Sequence, residues 1–164
     1  MTLLEGYPEL SEESKVAVDG IGPIGVGMTL KEASAAAGLD LVDGGTTDSS
    51  ECFYYEPESG PDGLAFMVIN NRIARVDIDN PRITTISGAK IGDASDRIEG
   101  LYAGLIETSD RKDDSEGKYL TLVPKLPQNQ NYRLIFETDA SDKVTSFRAG
   151  KLPEIEYVEG CSKG

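Results

Sequence analysis

The sequence is organised around residues 20–33, which read Gly-Ile-Gly-Pro-Ile-Gly-Val-Gly-Met-Thr-Leu-Lys-Glu-Ala. The glycine-rich first half suits an edge strand or a turn, where the missing N–H of Pro23 is tolerated. Thr29 and Glu32 have the spacing of a capping box, in which each side chain satisfies a free backbone N–H at the start of a helix. A short helix is therefore predicted from Leu30, and Gly38 is predicted to end it.

A weaker copy of this pattern occurs at residues 86–98 and predicts a second short helix. Each copy is followed by strand-like runs and a hairpin. The first hairpin turns at Asn70-Asn71, residue types that accept positive φ, and the second turns at residues 139–142. The sequence therefore predicts an α+β fold of two tandem units, each a short helix packed on a small antiparallel β-sheet.

These patterns also predict the domain organisation. We expect residues 1–19 to form a flexible N-terminal arm, residues 20–82 the first helix-on-sheet repeat and residues 83–164 the second. A single unit of this size buries little apolar surface, and two units side by side bury more. Because the chain is only 38% hydrophobic and has no Trp, its core is expected to be thin, and a cross-link would help.

The two cysteines, Cys52 and Cys161, lie far apart in the sequence, which excludes a Cys-x-x-Cys redox or zinc motif. We hypothesise that they form one disulfide that ties the C-terminus to the first repeat. Closing a loop of roughly 100 residues would stabilise the fold by up to about 4–5 kcal/mol on the chain-entropy model. The alternative is a pair of buried, unlinked thiols.

Acidic residues outnumber basic ones by 29 to 16, which gives a net charge of −13. Nucleic acid is an unfavourable partner for such a chain, because phosphate binding needs clustered Lys and Arg, and an anionic membrane surface is unfavourable for the same reason. A basic protein partner is electrostatically allowed. No apolar run reaches the roughly 18 residues that a membrane-spanning helix needs.

The sequence contains no His, which removes the commonest general base and any Ser-His-Asp triad. Its glycines do not have the spacing of a dinucleotide-binding fingerprint. Carboxylates are plentiful: Asp77 and Asp79 share one strand face, and residues 110–116 are strongly acidic. Acid–base chemistry or Ca²⁺ binding is the functional interpretation, but the spacing differs from an EF-hand, and a solvated surface is favoured. No metal site and no cofactor are predicted.

Aromatic residues on the predicted strands offer the best binding candidates. Tyr and Arg on an uncovered sheet face would anchor a protein partner. The candidates are Tyr54, Phe66, Arg75 and Tyr119. The alternative is that these side chains belong to the core.

The entry Gly27-Met28-Thr29, together with Gly38, Cys52, Tyr54 and the Asn70-Asn71 turn, resembles the β-lactamase-inhibitor-protein-like superfamily, which includes envelope lipoproteins of the SmpA/OmlA type. The predicted duplication is more similar to the inhibitor proteins than to the single-unit lipoproteins. This resemblance implies export, helix-on-sheet units and protein binding through an open sheet face and its loops. The second copy departs from the motif, since it has Gly92-Asp93-Ala94 instead.

We therefore expect an exported, non-enzymatic, inhibitor-like module that binds a protein of unknown identity in the envelope or outside the cell. The alternative is a structural or assembly factor of the cell envelope, and a carboxylate-based hydrolase is less favoured. The expected localisation is periplasmic or secreted. Residues 1–19 lack the basic start of a signal peptide, so an export signal is expected to be missing from this sequence.

Overall fold

The structure is a computed structural model that describes residues 9–45, 52–111, 116–158 and 160–162. In chain order its strands and α-helices are β1 (Val16–Ala17), β2 (Gly20–Ile21), β3 (Ile24–Gly25), α1 (Leu30–Ala37), β4 (Leu41–Gly45), β5 (Cys52–Pro57), β6 (Leu64–Ile69), β7 (Arg72–Ile78), α2 (Ser95–Leu101), β8 (Ile106–Asp110), β9 (Lys118–Leu122), β10 (Tyr132–Thr138) and β11 (Val144–Lys151). Strands β1–β3 form a small sheet. The other eight form one antiparallel sheet in the order β4-β5-β6-β7-β11-β10-β9-β8.

This architecture corrects the predicted fold class. The sequence predicted two separate helix-on-sheet units, whereas the strands form one continuous eight-stranded sheet and the helices are short. The joint is the pairing of β7 with β11, which runs from Phe147 opposite Ile78 to Gly150 opposite Arg75. A pairing between such distant segments has no local sequence signal. The proposed division of the chain at residues 82 and 83 stays a prediction.

Two strands were missed by the sequence analysis, and both lie at the edges of the large sheet. Strand β4 contains Asp43 and two glycines, and β8 carries mostly polar residues that are exposed. Polar and glycine-rich segments read as loops, since strand prediction depends on apolar alternation. After β11, a short 3₁₀ helix follows at Glu154–Glu156.

Helix α1 confirms the capping-box prediction. Thr29 Oγ1 accepts a hydrogen bond from the Glu32 N–H at 3.1 Å, and the Glu32 carboxylate accepts one from the Thr29 N–H at 2.9 Å. Gly38 ends the helix with a left-handed φ of 74°. The Asn70-Asn71 turn is confirmed as well, with φ values of 53° and 66°. Such positive angles close a two-residue hairpin with the twist of its strands.

The main core lies between one face of the large sheet and the layer formed by α1, α2 and β1–β3. We call this sheet face the inner face and the opposite one the outer face. The inner face supplies Phe66, Val76, Leu134 and other apolar side chains, and Ala33 of α1 and Ile98 of α2 pack against them. The small side chain of Ala33 lets α1 approach the sheet closely.

Residues 9–19 differ from the flexible arm that the sequence predicted. Leu10 is 5% exposed, and its N–H donates to the carbonyl of Ala37. Val16 is 1% exposed and forms an isolated parallel bridge with Thr85. This part of the chain therefore closes one side of the core. Residues 1–8 lie outside the described residues.

Candidate functional site

Strand register assigns the predicted binding residues to opposite faces of the sheet. Tyr54 lies opposite Met67, which lies opposite Arg75, so Tyr54 and Arg75 share the outer face. Phe66 is the neighbour of Met67 on β6 and points inward, where it is 0% exposed. Phe66 as an exposed anchor is therefore wrong, because it is a central core residue. A one-residue step along a strand changes the face.

Tyr119 also lies on the outer face, on the far side of the sheet centre. It is 6% exposed, and the guanidinium of Arg148 lies 5.8 Å from the centre of its ring. Arg148 itself is 6% exposed. At this distance the positive charge is attracted to the face of the aromatic ring. Tyr119 and Arg148 therefore form one buried unit on the outer face.

The outer face is covered at its centre by the C-terminal strap, the name used here for residues 152–158 and 160–162. The strap leaves the end of β11 and reaches β5, where Cys161 is bonded to Cys52. The prediction of an open aromatic face is wrong for this reason. The strap buries Arg75 to 2% exposure.

Arg75 holds the strap by its backbone. Its Nη1 donates to the carbonyl oxygens of Glu154 at 2.8 Å and Tyr157 at 2.9 Å. Its Nη2 donates to the Tyr54 hydroxyl at 3.0 Å, and Nε lies 2.9 Å from a carboxylate oxygen of Asp77. A planar guanidinium has five N–H groups in a fixed arrangement. In Arg75, Nη1 donates to the strap, whereas Nη2 and Nε face side chains of the sheet.

A second arginine acts in the same way one strand further along. Arg148 Nε donates to the carbonyl oxygen of Ile155 at 2.7 Å, and its Nη1 forms an ion pair with Glu137. Glu137 is also 3.4 Å from Nη2 of Arg111. A buried cation is costly unless it is paired, and each of the two central arginines has a carboxylate on the sheet beside it.

Apolar contacts fix the strap at both ends. Ile155 is 0% exposed and packs against Tyr119 and Ile135. At the other end, the disulfide of Cys52 and Cys161 lies against Met67 and Ala74 of the sheet, with the two Cα atoms 5.5 Å apart. The predicted Cys52–Cys161 disulfide is confirmed.

Tyr54 is the link between the strap and the sheet near the disulfide. Its hydroxyl donates to Asp77 Oδ2 at 3.0 Å and accepts from Arg75. Burial, followed by the negative charge of Asp77, raises the pKa of the Tyr54 phenol. Tyr54 therefore stays protonated at physiological pH and serves as a hydrogen-bond donor. Gly160 lies on its ring, so close that a Cβ would overlap the hydroxyl oxygen.

Grooves remain open on both sides of the strap. One has a volume of about 400 Å³, and its lining includes Asp77, Asp79, Glu137 and Ser146. The other has a volume of about 150 Å³, and its lining includes Tyr119, Thr121 and Ile135. Arg148 and Val158 line both grooves. The first groove carries three carboxylates, and the second combines the apolar side chains of Tyr119, Ile135 and Val158 with polar ones.

Asp77 and Asp79, the carboxylates that the sequence placed on one strand face, both line the larger groove, but Asp77 is engaged with Arg75 and Tyr54. Within the described ranges, no group of three or more Cys, Asp or Glu side chains is placed to hold a metal ion. Most of the acidic segment at residues 110–116 lies outside those ranges, since residues 112–115 are not described. In the part of the chain that the structure describes, no helix is long and apolar enough to cross a membrane.

The strap and Arg148 were missed by sequence reasoning, and Arg75 was predicted as an exposed anchor instead of a buried partner of the strap. The apolar side chains of residues 152–162, such as Ile155 and Tyr157, alternate with acidic ones and give no sign of the surface they pack on, and arginines in strands are normally expected in solvent. One usable signal was present: Arg75 and Arg148 both interrupt otherwise buried strands. A charged residue inside an apolar strand predicts a partner from elsewhere in the chain.

Comparisons with known proteins bear on the fold. No family model matches the chain, and no curated protein matches it. Among solved structures, the uncharacterized protein yfeY from Escherichia coli is similar, with a TM-score of 0.54 and 17% sequence identity. The likeness covers 84% of this chain and 99% of that chain. At this level of identity it shows a shared fold alone.

Proposed function

We propose that this protein is an exported, non-enzymatic module that binds another protein through the outer face of its large sheet. The observation that supports this proposal best is that the outer face already holds a polypeptide segment. Arg75 and Arg148 donate to three backbone carbonyls of the strap, and Ile155 fills an apolar pocket. Hydrogen bonds to a main chain, together with a side-chain pocket, are a common mode of peptide recognition.

Charge favours a partner with basic side chains beside the strap. Asp77, Asp79 and Glu137 line the larger groove, and the whole chain has a net charge of −13. Complementary charge increases the rate of encounter and selects the partner more than it increases affinity. The smaller groove adds the side chains of Tyr119, Ile135 and Val158, residue types that can anchor the centre of such an interface.

The ion pairs support a binding role over a hydrolytic one. Asp77 and Glu137 are the counter-ions of Arg75 and Arg148, so both carboxylates already serve to balance buried charge. The sequence has no His to act as a general base in their place. Glycosidase chemistry instead uses two carboxyl groups that flank one substrate bond.

Export is supported by the disulfide, because such bonds persist in oxidising compartments and are rare in the cytosol. A relation to the β-lactamase-inhibitor-protein-like superfamily is part of this proposal. It rests on the Gly27-Met28-Thr29 entry into α1 and on the disulfide. The identity of the target is not part of it.

The test uses the oxidised protein, immobilised, to capture partners from periplasmic or culture-fluid extracts, followed by binding measurements on each captured protein. Ser146→Arg fills the larger groove, and Thr121→Arg fills the smaller one. Both positions are only partly buried, so an arginine can be accommodated without unfolding the sheet. We expect each to weaken the binding of a genuine partner by about tenfold or more.

The matched control is Ala35→Arg, which adds the same charge at an exposed position of α1, on the side of the inner face. A partner that uses the outer face binds this variant as it binds the natural sequence. Equal binding to all three variants would show that the outer face is not the surface used. Failure to capture any protein over a range of salt concentrations, both with the oxidised protein and with the protein whose disulfide has been reduced, would contradict the binding role itself.

A further inference from the structure

The strap divides what would otherwise be one channel along the outer face. Val158 of the strap lines the groove on one side and the groove on the other, as does Arg148 on the sheet beneath. Without the strap, the apolar surface of Tyr119 and Ile135 would continue through Arg148 to Arg75. A channel of this kind has an apolar end and a centre rich in hydrogen-bond donors.

The charges of this channel are balanced without the strap. Arg75 is paired with Asp77, and Arg148 is paired with Glu137, all four residues belonging to the sheet. To the two arginines the strap adds only neutral acceptors, the carbonyl oxygens of Glu154, Ile155 and Tyr157. Its one ion pair, between Glu154 and Lys151 at 2.6 Å, involves a lysine that is partly exposed to solvent. Water or another main chain can replace neutral acceptors at little cost in free energy. Removal of the strap therefore leaves no unpaired buried charge.

We infer that the strap is an intramolecular ligand, seated in the site where a partner's segment binds once the strap is displaced. This inference rests on the proposed use of the outer face for protein binding and names the class of segment that it takes. The seated residues are Glu154, Ile155, Glu156 and Tyr157, of which Ile155 alone is fully buried. The matching partner segment places one aliphatic residue in the pocket of Ile155 and offers its carbonyls to the two arginines.

The disulfide keeps the strap in its site by joining it covalently to β5. While Cys161 is bonded to Cys52, the strap is held at a high effective concentration over its own site, which disfavours any competing segment. A dithiol reductant breaks this bond. It supplies two electrons and two protons, so that Cys52 and Cys161 become thiols while the dithiol becomes a disulfide. The strap is then held by Ile155 and the arginine contacts alone.

The first experiment supplies the strap sequence from outside. A fluorescent peptide Leu-Pro-Glu-Ile-Glu-Tyr-Val, which copies residues 152–158, is titrated against the natural protein and against Ile155→Asp. The buried carboxylate of the variant expels its own strap, because an unpaired charge is costly in an apolar pocket. We expect the peptide to bind Ile155→Asp at least about tenfold more tightly than it binds the oxidised natural protein.

The control peptide has Asp in place of Ile, and its binding to Ile155→Asp should be weaker by about tenfold or more. Equal binding of both peptides, or no binding to a variant whose sheet amides remain protected from hydrogen exchange, would overturn the inference. Neither result depends on a natural partner. If the peptide binds but no partner is captured from extracts, the inference about the strap is supported while the proposed function is not.

The second experiment needs no ligand, and it tests the inference even if the Ile155→Asp variant fails to fold. Hydrogen exchange is compared in the oxidised protein and in the double variant Cys52→Ser, Cys161→Ser. We expect the amides of residues 155–158 to exchange at least about 100-fold faster in the variant, while those of β10 and β11 stay protected. If strap and sheet amides exchange at one common rate in the variant, the strap is an integral part of the fold and the inference is wrong.

Discussion

Gly150 on β11 lies directly opposite Arg75 on β7, and the absence of a side chain at position 150 makes room for the arginine. A Cβ on Gly150 would overlap the Cβ of Arg75 and lie 2.6 Å from the carbonyl oxygen of Ala74. The glycine is therefore required by close packing at the joint between the two groups of strands. Its position also determines where Arg75 meets the strap.

Gly150→Ala is expected to destabilise the protein by about 1–3 kcal/mol, the usual effect of overpacking, because backbone atoms of β7 would have to move. Urea denaturation followed by circular dichroism measures the effect. The control is Gly100→Ala at an exposed helical position of α2, where a Cβ would meet no atom within 4 Å. That change should increase stability by about 0.5–1 kcal/mol, since alanine is the better helix former. Similar effects of the two substitutions would contradict the packing argument.

Ile155 anchors the strap, and Ile155→Ala is expected to reduce the free energy of unfolding by about 2–4 kcal/mol, because a cavity is left against Tyr119 and Ile135. Ile86 provides a matched control, since its side chain is 71% exposed. Ile86→Ala should change stability by less than about 0.5 kcal/mol. An equally small loss for Ile155→Ala would show that its burial contributes little.

Asp93 should make stability depend on pH in the acidic range. Burial opposes ionisation of its carboxyl group, but hydrogen bonds from Lys90 and Arg97 outweigh that effect, and the pKa of Asp93 is lowered. A lowered folded-state pKa stabilises the protein above the unfolded pKa of about 3.9, and this contribution is lost as the pH falls through the folded-state value. Asp93→Asn should therefore cost about 1–2 kcal/mol at neutral pH and progressively less below about pH 4.

Denaturation midpoints of the natural protein and Asp93→Asn, measured from neutral pH down into the acidic range, test this prediction. The half-exposed side chains of Lys90 and Arg97 weaken their ion pairs with Asp93, so the stability difference should be modest. The two curves should converge on acidification. A stability difference that is independent of pH would show that the charge of Asp93 is not the cause.

The disulfide joins residues 109 positions apart. The double variant Cys52→Ser, Cys161→Ser should be less stable than the oxidised protein by up to about 4–5 kcal/mol, since the unfolded chain regains the freedom of a long loop. Urea midpoints of the oxidised natural protein, the reduced natural protein and the double variant make the comparison. The latter two should agree with each other. An unchanged midpoint on reduction would refute a stabilising role.

Sequence reasoning predicted the features that depend on neighbouring residues. The cap at Thr29, the end of α1 at Gly38 and the hairpin at Asn70-Asn71 each follow from the chemistry of a few adjacent positions. The disulfide was also predicted, because the chain has only two cysteines and a thin core. In each case the interaction is specified within one turn or by residue type alone.

The features that failed depend on distant parts of the chain. The pairing of β7 with β11, in which Ile78 lies opposite Phe147, joins all eight strands into one sheet. Neither local sequence indicates which strand it pairs with. The predicted binding surface was wrong for the same reason, because it depends on a segment from a distant part of the chain. Tyr54, Arg75 and Tyr119 were predicted to lie on an uncovered sheet face, but the strap covers them, and nothing in its own sequence identifies the surface on which it packs.

The strap and its disulfide have a mechanical consequence. With Cys52 and Cys161 joined, the intervening chain is a covalent ring, and tension applied outside the two cysteines passes through the sulfur bond instead of the β7–β11 pairing. About 370 Å of extended chain is thereby withheld from any pulling force until the bond is reduced. The sheet is shielded from load under oxidising conditions and becomes extensible under reducing ones.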